Sequence, residues 1–485
     1  MIPDTDTPLS EARRQLHRGQ HLKALTSLDR LVASNPASTG AWLIRGEALL
    51  ALGRHDEAIS SLDKCVSIDQ NNVDAHLLRA AVKQAIGRTA EALEGYARVL
   101  SLHPGNADAH NNIGLILAAR REFDGALAEF DAALRTRPDS VEAINYRGMV
   151  LKETGSLQEA LGCFDRALAL RPGMLPAMYN RAEVLGSLKR NAEALDQYEQ
   201  ALLGFPDNPR LHNNRGAVLL ALGRYAEALA AFDRAIELHP DYADALDNRG
   251  TVLQAFDDPE QAEKSIRAAI RVEPQKVSAH WNLSLCLLRM GRFEEGWRLH
   301  EWRWRKEVFR RFDFGLRQPR WDGSQALAGK TILLTAEQGL GDTLQFVRYA
   351  TLLEAKGARV LLFAQSALVE LVAHSMPNIR VFNQLAKIPA FDFQCPLLSL
   401  PLAFGTRLDT VPAAVPYLRA PLRRRVALEQ KMPPSGRPRI GLVWAGSARH
   451  ANDANRSMAL RDMLPLLEID SYEFVVLQKE ISAGD

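Results

Sequence analysis

Cysteine is scarce in this 485-residue sequence: Cys65, Cys163, Cys286 and Cys395 stand far apart. Their spacing fits neither a zinc-ligand pattern nor a disulfide framework, and it points to a reducing compartment. Charge of one sign is scarce as well. Sixty Lys and Arg against 58 Asp and Glu leave a formal net charge of +2, so nothing global marks a nucleic-acid or anionic-membrane binder. No run of about 18 apolar residues occurs, and no membrane-spanning helix is expected. The N-terminal MIPDTDTPLSEARRQ lacks an apolar signal core, and a cytoplasmic location is expected. What remains, 47% hydrophobic and 24% charged residues, is the composition of a globular protein with room for more than one domain.

Similarity recurs every 34 residues through the first three hundred. Counted from Ala107, the eighth position is Gly114, the twentieth Ala126, the twenty-fourth Phe130 and the thirty-second Pro138. The same types return at Gly148, Ala160, Phe164 and Pro172, and again at Gly216, Ala228, Phe232 and Pro240. Ala92, Tyr96 and Pro104, then Gly46, Gly53 and Ala58, then Gly19, Ala24 and Pro36 continue the frame backwards. Units starting at 5, 39, 73, 107, 141, 175, 209, 243 and 277 need no insertion. The pattern resembles the tetratricopeptide repeat. Small residues at positions eight and twenty let two helices approach, the aromatic fills the gap to the next hairpin, and proline ends the second helix. An α superhelix with an extended concave surface is expected over 5–310.

Position six of each unit lies on the inner helix and holds Asn112, Asn180, Asn214, Asn248 and Asn282, with Tyr146 interrupting and Ile44 and Leu78 in earlier units. An amide offers both a donor and an acceptor, so a ladder of amides can pair with a peptide backbone whatever its side chains. The superhelix of O-linked N-acetylglucosamine transferases carries a similar ladder. The competing reading is that these asparagines cap their neighbours. The ninth unit departs from the pattern, with Gly296 at position twenty and His300 at twenty-four. Trp297, Trp302 and Trp304 then fall on one expected helix, which would dock the solenoid onto the next domain. Residues 311–329, with Trp321, read as a linker.

From Lys330 the pattern changes. KTILLTAE, ARVLLFA and NIRVFN read as strands, GDTLQFVRYATLLEAKG and SALVELVAHS as helices, and FDFQCPLLSLPLAFG as a strand followed by a helix. Such alternation predicts a doubly wound parallel α/β sheet over 330–430, with any ligand outside the carboxyl ends of the strands. The loop Gly339-Leu340-Gly341-Asp342 sits there. It lacks the third glycine of a dinucleotide site, where Leu344 stands, and the acidic residue after the second strand, where Ala364 and Gln365 stand; no P-loop lysine is present either. Asp342 on the first turn of a helix reads as a cap or as a general base. A second unit, 437–485, opens with the strand RPRIGLVWAG, and its loop carries Gly446, Ser447, Arg449, His450, Asn452, Asn455, Arg456 and Ser457. Small residues, amides and guanidinium groups after a strand suit a diphosphate.

The repeats, EGWRLHEWRWR, EQGLGDTLQFVRYA and GLVWAGSARHANDANRSMAL together resemble bacterial tetratricopeptide proteins with a GT-B glycosyltransferase-like C-terminal region of the heptosyltransferase or O-linked N-acetylglucosamine transferase kind. The resemblance implies a nucleotide-diphosphate sugar donor and no metal cofactor. It also implies Asp342 as catalytic base with Gly339 and Gly341 shaping its loop, Gly446, Ser447, Arg456 and Ser457 on the donor phosphates, and a polypeptide in the solenoid groove. No Asp-x-Asp metal motif appears in the C-terminal third. A complete second GT-B half needs about 150 residues, and 47 run from Arg439 to Asp485. The second half is therefore expected to be incomplete and the 485-residue chain inactive as a transferase. The alternative is a non-catalytic scaffold with a vestigial transferase region.

Overall fold

A computed structural model describes residues 8–432, 434–446 and 457–478. The chain divides into two compact units, Met1–Met290 and Gly291–Asp485.

The first unit is a solenoid of paired α-helices. First helices begin on Thr39, Val73, Ala107, Val141, Leu175, Pro209, Ala243 and Val277, the unit starts read from the sequence. The fifth repeat, Val141–Glu153 and Leu157–Leu170, is representative. Position 34 is the N-cap: Asn72 Oδ1 accepts from Ala75 N at 2.9 Å and Asn106 Oδ1 from Ala109 N at 2.8 Å, satisfying a donor that the helix end leaves free. Position 15 turns the chain in the left-handed region. It is glycine in most repeats (Gly155 φ +83) but Arg121, Lys189 and Asp257 in three, each at φ +61 to +63.

Three hairpins are locked by an aromatic ring against bare backbone, and in two others Leu62 and Ile266 take the ring's place over Gly46 and Gly250. Phe130, Phe164 and Phe232 are 0% exposed, and a Cβ added to Gly114, Gly148 or Gly216 would lie 2.7–2.8 Å from the facing ring. Where position eight is alanine, Ala80 or Ala182, the aromatic is a tyrosine, Tyr96 or Tyr198, whose hydroxyl meets Gln84 (2.7 Å) or Asn214 (3.3 Å). A second regularity ties repeat to repeat. The arginine at position seven reaches the acid 16 residues earlier: Arg45–Asp29, Arg79–Asp63, Arg147–Asp131, Arg181–Asp165, Arg215–Glu199 and Arg249–Asp233, at 2.6–3.3 Å. In the fourth repeat both members are gone together, replaced by Ile113 and Ala97. The acids are about half exposed, so each pair contributes less than about 1 kcal/mol and serves mainly to fix register.

The second unit holds a small parallel sheet. β1 (Thr331–Thr335), β2 (Arg359–Phe363), β3 (Arg380–Phe382) and β4 (Phe393–Pro396) run in the order β3-β2-β1-β4, all parallel. β1 is buried on both faces, as a central parallel strand must be. The run GDTLQFVRYATLLEAKG, expected as one helix, forms two, Leu340–Phe346 and Tyr349–Ala355. Val347 and Arg348 keep right-handed helical dihedrals, but the Ala350 N–H bonds Val347 O, a tighter i→i+3 turn that divides the helix. Farther on, β5 (Arg439–Leu442) and β6 (Glu473–Val476) form a separate parallel pair.

Gly216→Ala is expected to cost about 1–3 kcal/mol by overpacking against Phe232. Gly162→Ala, exposed on a helix with nothing within 4 Å of its Cβ, should instead gain about 0.5–1 kcal/mol. Urea denaturation of both variants, followed by far-UV circular dichroism, reads the opposite signs.

Candidate functional site

Position six bonds to a polar side chain one repeat away. Asn180 Nδ2 donates to Asn145 Oδ1 (3.4 Å), Asn248 Nδ2 to Asn213 Oδ1 (3.0 Å) and Asn282 Nδ2 to Asp247 Oδ1 (2.9 Å). Each bond joins position six to position five of the preceding repeat. Asn214, which faces Tyr179 at that place, instead accepts from Asn213 (2.9 Å) and donates to Tyr198. The position-five residues Asn145, Asn213 and Asp247 are buried, and burial pushes the Asp247 carboxyl up against the hydrogen bonds from Ser278 and Asn282 that favour its ionised form. The ladder therefore spends part of its amide capacity on repeat-to-repeat bonding. It breaks where Tyr146 stands at position six: Asn111 Oδ1, the acceptor an asparagine there would serve, is buried without a partner. Asn112, opposite Leu77, has no protein hydrogen-bond partner among the described residues.

Position five was the part of the site that the sequence reading missed. Its signal was present as polar residues spaced 35 from the asparagines (Asn145, Asn213 and Asp247).

Two pockets lie along this first-helix face. One, of about 610 Å³, is lined by Tyr146, Met149, Met174, Tyr179 and Arg210 together with Asn145 and Asn180. The next, of about 600 Å³, includes Tyr198, Asn214 and Ala217. Lys152 and Glu183 line both and form an ion pair of 2.7 Å, with Lys152 Nζ also 3.4 Å from Asn180 Oδ1. The Arg210 guanidinium lies over the Tyr179 ring, 4.7 Å from its centroid.

In the second unit Asp342 caps the start of the helix after β1. Its Oδ2 accepts from the Gly339 N–H at 3.0 Å. The left-handed residue of the loop is Gln338 (φ +50), and a Cβ on Gly341 would meet nothing within 4 Å. Thr343 Oγ1 donates to Gln365 Oε1 (2.9 Å), which ties the helix after β1 to the N-cap residue of the helix after β2. In the last part Gly446 N donates to Ser457 Oγ (2.8 Å) and Gln478 bridges the backbone of Trp444 and Ala445. Ser447, Arg449, His450, Asn452, Asn455 and Arg456 lie outside the described residues.

The ends of β1 and β4 hold a feature with no sequence signal. Glu337, two residues past β1, is fully buried and takes the buried Arg303 guanidinium bidentately, Nε–Oε2 2.8 Å and Nη2–Oε1 3.1 Å. Arg303 also donates to Glu301 (2.6 Å), His300 Nδ1 (3.1 Å) and Ser399 Oγ (2.8 Å), and Leu398 N donates to Glu337 (3.3 Å). Every guanidinium nitrogen is used. Strand order reverses at β1, so this is the crevice in which open α/β sheets take ligands, and here a side chain of the same chain fills it. The three tryptophans do not share one helix. Phe293–His300 is α-helical and Glu301–Arg305 is 3-10, and the tighter winding turns Arg303 inward. Trp297 packs edge-on against Phe346 at 5.8 Å, and Trp304 lies between Arg303 and Arg320. Burial and the neighbouring Arg303 charge lower the His300 pKa to about 3.

Among the described residues no group of His, Cys, Asp and Glu is placed to hold a metal ion, and no helix is long and apolar enough to cross a membrane. Residues 9–73, 77–141, 118–174, 147–203, 179–243 and 248–296 match the Tetratricopeptide repeat family. Protein FlbA of Caulobacter vibrioides is 28% identical over 220 residues, 40% of this chain and 35% of FlbA; the chain thus spans about a third of that relative's length. Among solved structures, YrrB, a TPR protein with an unusual peptide-binding site, is 24% identical over 39% of this chain and 96% of its own (TM-score 0.33). The Cut9–Hcn1 hetero-tetramer of the APC/C is 16% identical, covering 59% and 56% (TM-score 0.44). A Pseudomonas aeruginosa pilF structure is 21% identical over 44% and 96% (TM-score 0.39).

Replacing Arg303 by Met strands the Glu337 carboxylate and should cost about 3–5 kcal/mol, whereas Arg303→Met with Glu337→Gln should recover most of that loss. Five of the seven tryptophans lie in this unit, so tryptophan fluorescence during denaturation reads the effect. His300 stays neutral in the fold and binds a proton once unfolded. The stability it contributes is present above about pH 6.5 and is lost as pH falls towards about 3, by up to about 1.4 kcal/mol per pH unit. His300→Gln should flatten that part of the stability–pH curve.

Proposed function

Since the chain belongs to the tetratricopeptide-repeat family, whose arrays are protein-interaction scaffolds, we propose that it holds an extended segment of a partner polypeptide along the first-helix face of repeats four to nine. The observation that carries this reading is the pairing of two successive pockets with amides that keep unused hydrogen-bonding capacity. Asn112 has no protein partner among the described residues, and Asn180, Asn214 and Asn248 each have a second N–H to offer, while Asn282 spends both of its own on Asp247 and Thr251. Backbone pairing would supply affinity with little demand on sequence, while the pockets at repeats five to seven would read side chains. The inter-repeat bonds support this role, because amides held in place lose less freedom on binding.

The test is enrichment of random dodecapeptides displayed on phage against the intact chain. Peptides that bind, and that bind more weakly to Asn112→Ala although that variant unfolds at the same urea concentration, support the reading. Failure to enrich any peptide, or binding indifferent to Asn112 and to Tyr179→Ala, defeats it.

A second reading rests on the parallel β3-β2-β1-β4 sheet with Asp342 at the start of the helix after β1. In it the second unit is of GT-B glycosyltransferase type, divided as 330–430 and 437–485. Asp342 is then the base toward an acceptor hydroxyl, and Gly446, Ser447, Arg456 and Ser457 contact a nucleotide-diphosphate sugar. The Arg303–Glu337 pair restricts any such ligand to the outer loops. Isothermal titration with UDP, GDP and ADP tests it, with Arg456→Ala as control: micromolar binding lost in the variant supports a phosphate site, and silence with all three removes the reading. Asp342→Asn keeps the acceptor for the Gly339 N–H, so in a binding-competent chain it separates a base from a cap.

A further inference from the structure

The pocket at repeats five to seven differs from the rest of the face in chemistry. Tyr179, Met149 and Met174 give it an apolar floor, wide enough at about 610 Å³ for a large side chain. Thioethers and a phenol ring take aliphatic or aromatic groups equally well. The three charged residues of its lining are Lys152, Glu183 and Arg210. Lys152 and Glu183 neutralise each other. Arg210 is left with a ring beneath it and no carboxylate partner among the described residues. The position-seven arginines of the same solenoid behave differently, since Arg147, Arg181 and Arg215 each meet an acid within 3.3 Å. Arg210 sits at the second residue of its helix (Pro209–Ala221), where the helix end favours negative rather than positive charge. An arginine there works against its own helix, and its exposed side chain, hydrogen-bonded to Tyr179, lines the pocket without a carboxylate on it.

We infer that the segment held in this groove carries a large apolar side chain, seated over Tyr179, Met149 and Met174, with an aspartate or glutamate within two residues of it that pairs with Arg210. The inference rests on the proposed peptide-holding role of the groove and names the chemistry of its occupant. The carboxylate takes the guanidinium from the side opposite Tyr179, so the ring, the guanidinium and the carboxylate share one contact.

The experiment is the phage-displayed dodecapeptide selection run in parallel on the intact chain and on Arg210→Glu, which places a favourable charge at a helix N-terminus and leaves the fold unstrained. The expected result is that the wild-type chain enriches a large apolar residue with Asp or Glu within two positions, and that Arg210→Glu exchanges the acid for Lys or Arg. A synthetic wild-type consensus peptide should lose about tenfold or more in affinity on Arg210→Glu, and its charge-reversed form should regain it. Peptides enriched without an acidic preference, or with one unmoved by Arg210→Glu, overturn this inference while leaving the groove as a peptide site. Enrichment of nothing by either chain overturns both.

Discussion

The solenoid depends on one contact repeated along it, a bulky side chain, most often aromatic, lying on a small residue of the facing helix. Phe130 on Gly114, Phe164 on Gly148 and Phe232 on Gly216 set how closely the two helices of a hairpin approach. With that distance fixed and no insertion in the 34-residue frame, each hairpin meets the next at the same offset. The 16-residue arginine–acid pairs and the 35-residue amide bonds are two consequences of that offset, on different positions of the same helix. Neither needs strong pairing. A weak interaction repeated at constant geometry is enough to hold register when close packing has already fixed the spacing.

The repeats were legible because periodicity is a global signal, and the residue types at positions eight, twenty and twenty-four report directly on packing. The strands and their parallel order were legible from alternation alone. The direction of the amides was not. Position six told where the asparagines are, but whether each bonds a partner or its neighbour depends on position five one repeat away, which becomes a neighbour only after the hairpins stack. Tyr146 shows the rule from its exception, since its presence leaves Asn111 without a donor. Arg303 and Glu337 lay beyond sequence reasoning for another reason. An arginine among tryptophans and arginines, EWRWR, reads as surface, and only the switch from α to 3-10 winding after His300 carries it into the sheet. The segment Gly339–Asp342 follows β1 and enters its helix at Leu340, and its carboxylate is engaged by the Gly339 N–H, so spacing alone could not rank cap against base.

The two ends of the chain treat buried polarity in opposite ways. Along the solenoid, amides are half-buried, neutral and incompletely used, which suits a surface that must exchange water for a partner's backbone. Under the sheet, charges are fully buried and completely used, which suits a permanent contact.

The tie between Arg303 and Glu337 also bears on how such a chain can be cut and recombined. The second helix of the ninth repeat and the turn after it carry the residue that neutralises the sheet's buried carboxylate. A fragment started where the repeat pattern fades, at 311 or 330, would leave Glu337 charged in an apolar interior, whereas one started at Gly291 keeps the pair. The inheritable module is thus the sheet together with the last helix before it. Any exchange of repeat arrays in front of this α/β unit has its seam inside a hairpin rather than between hairpins.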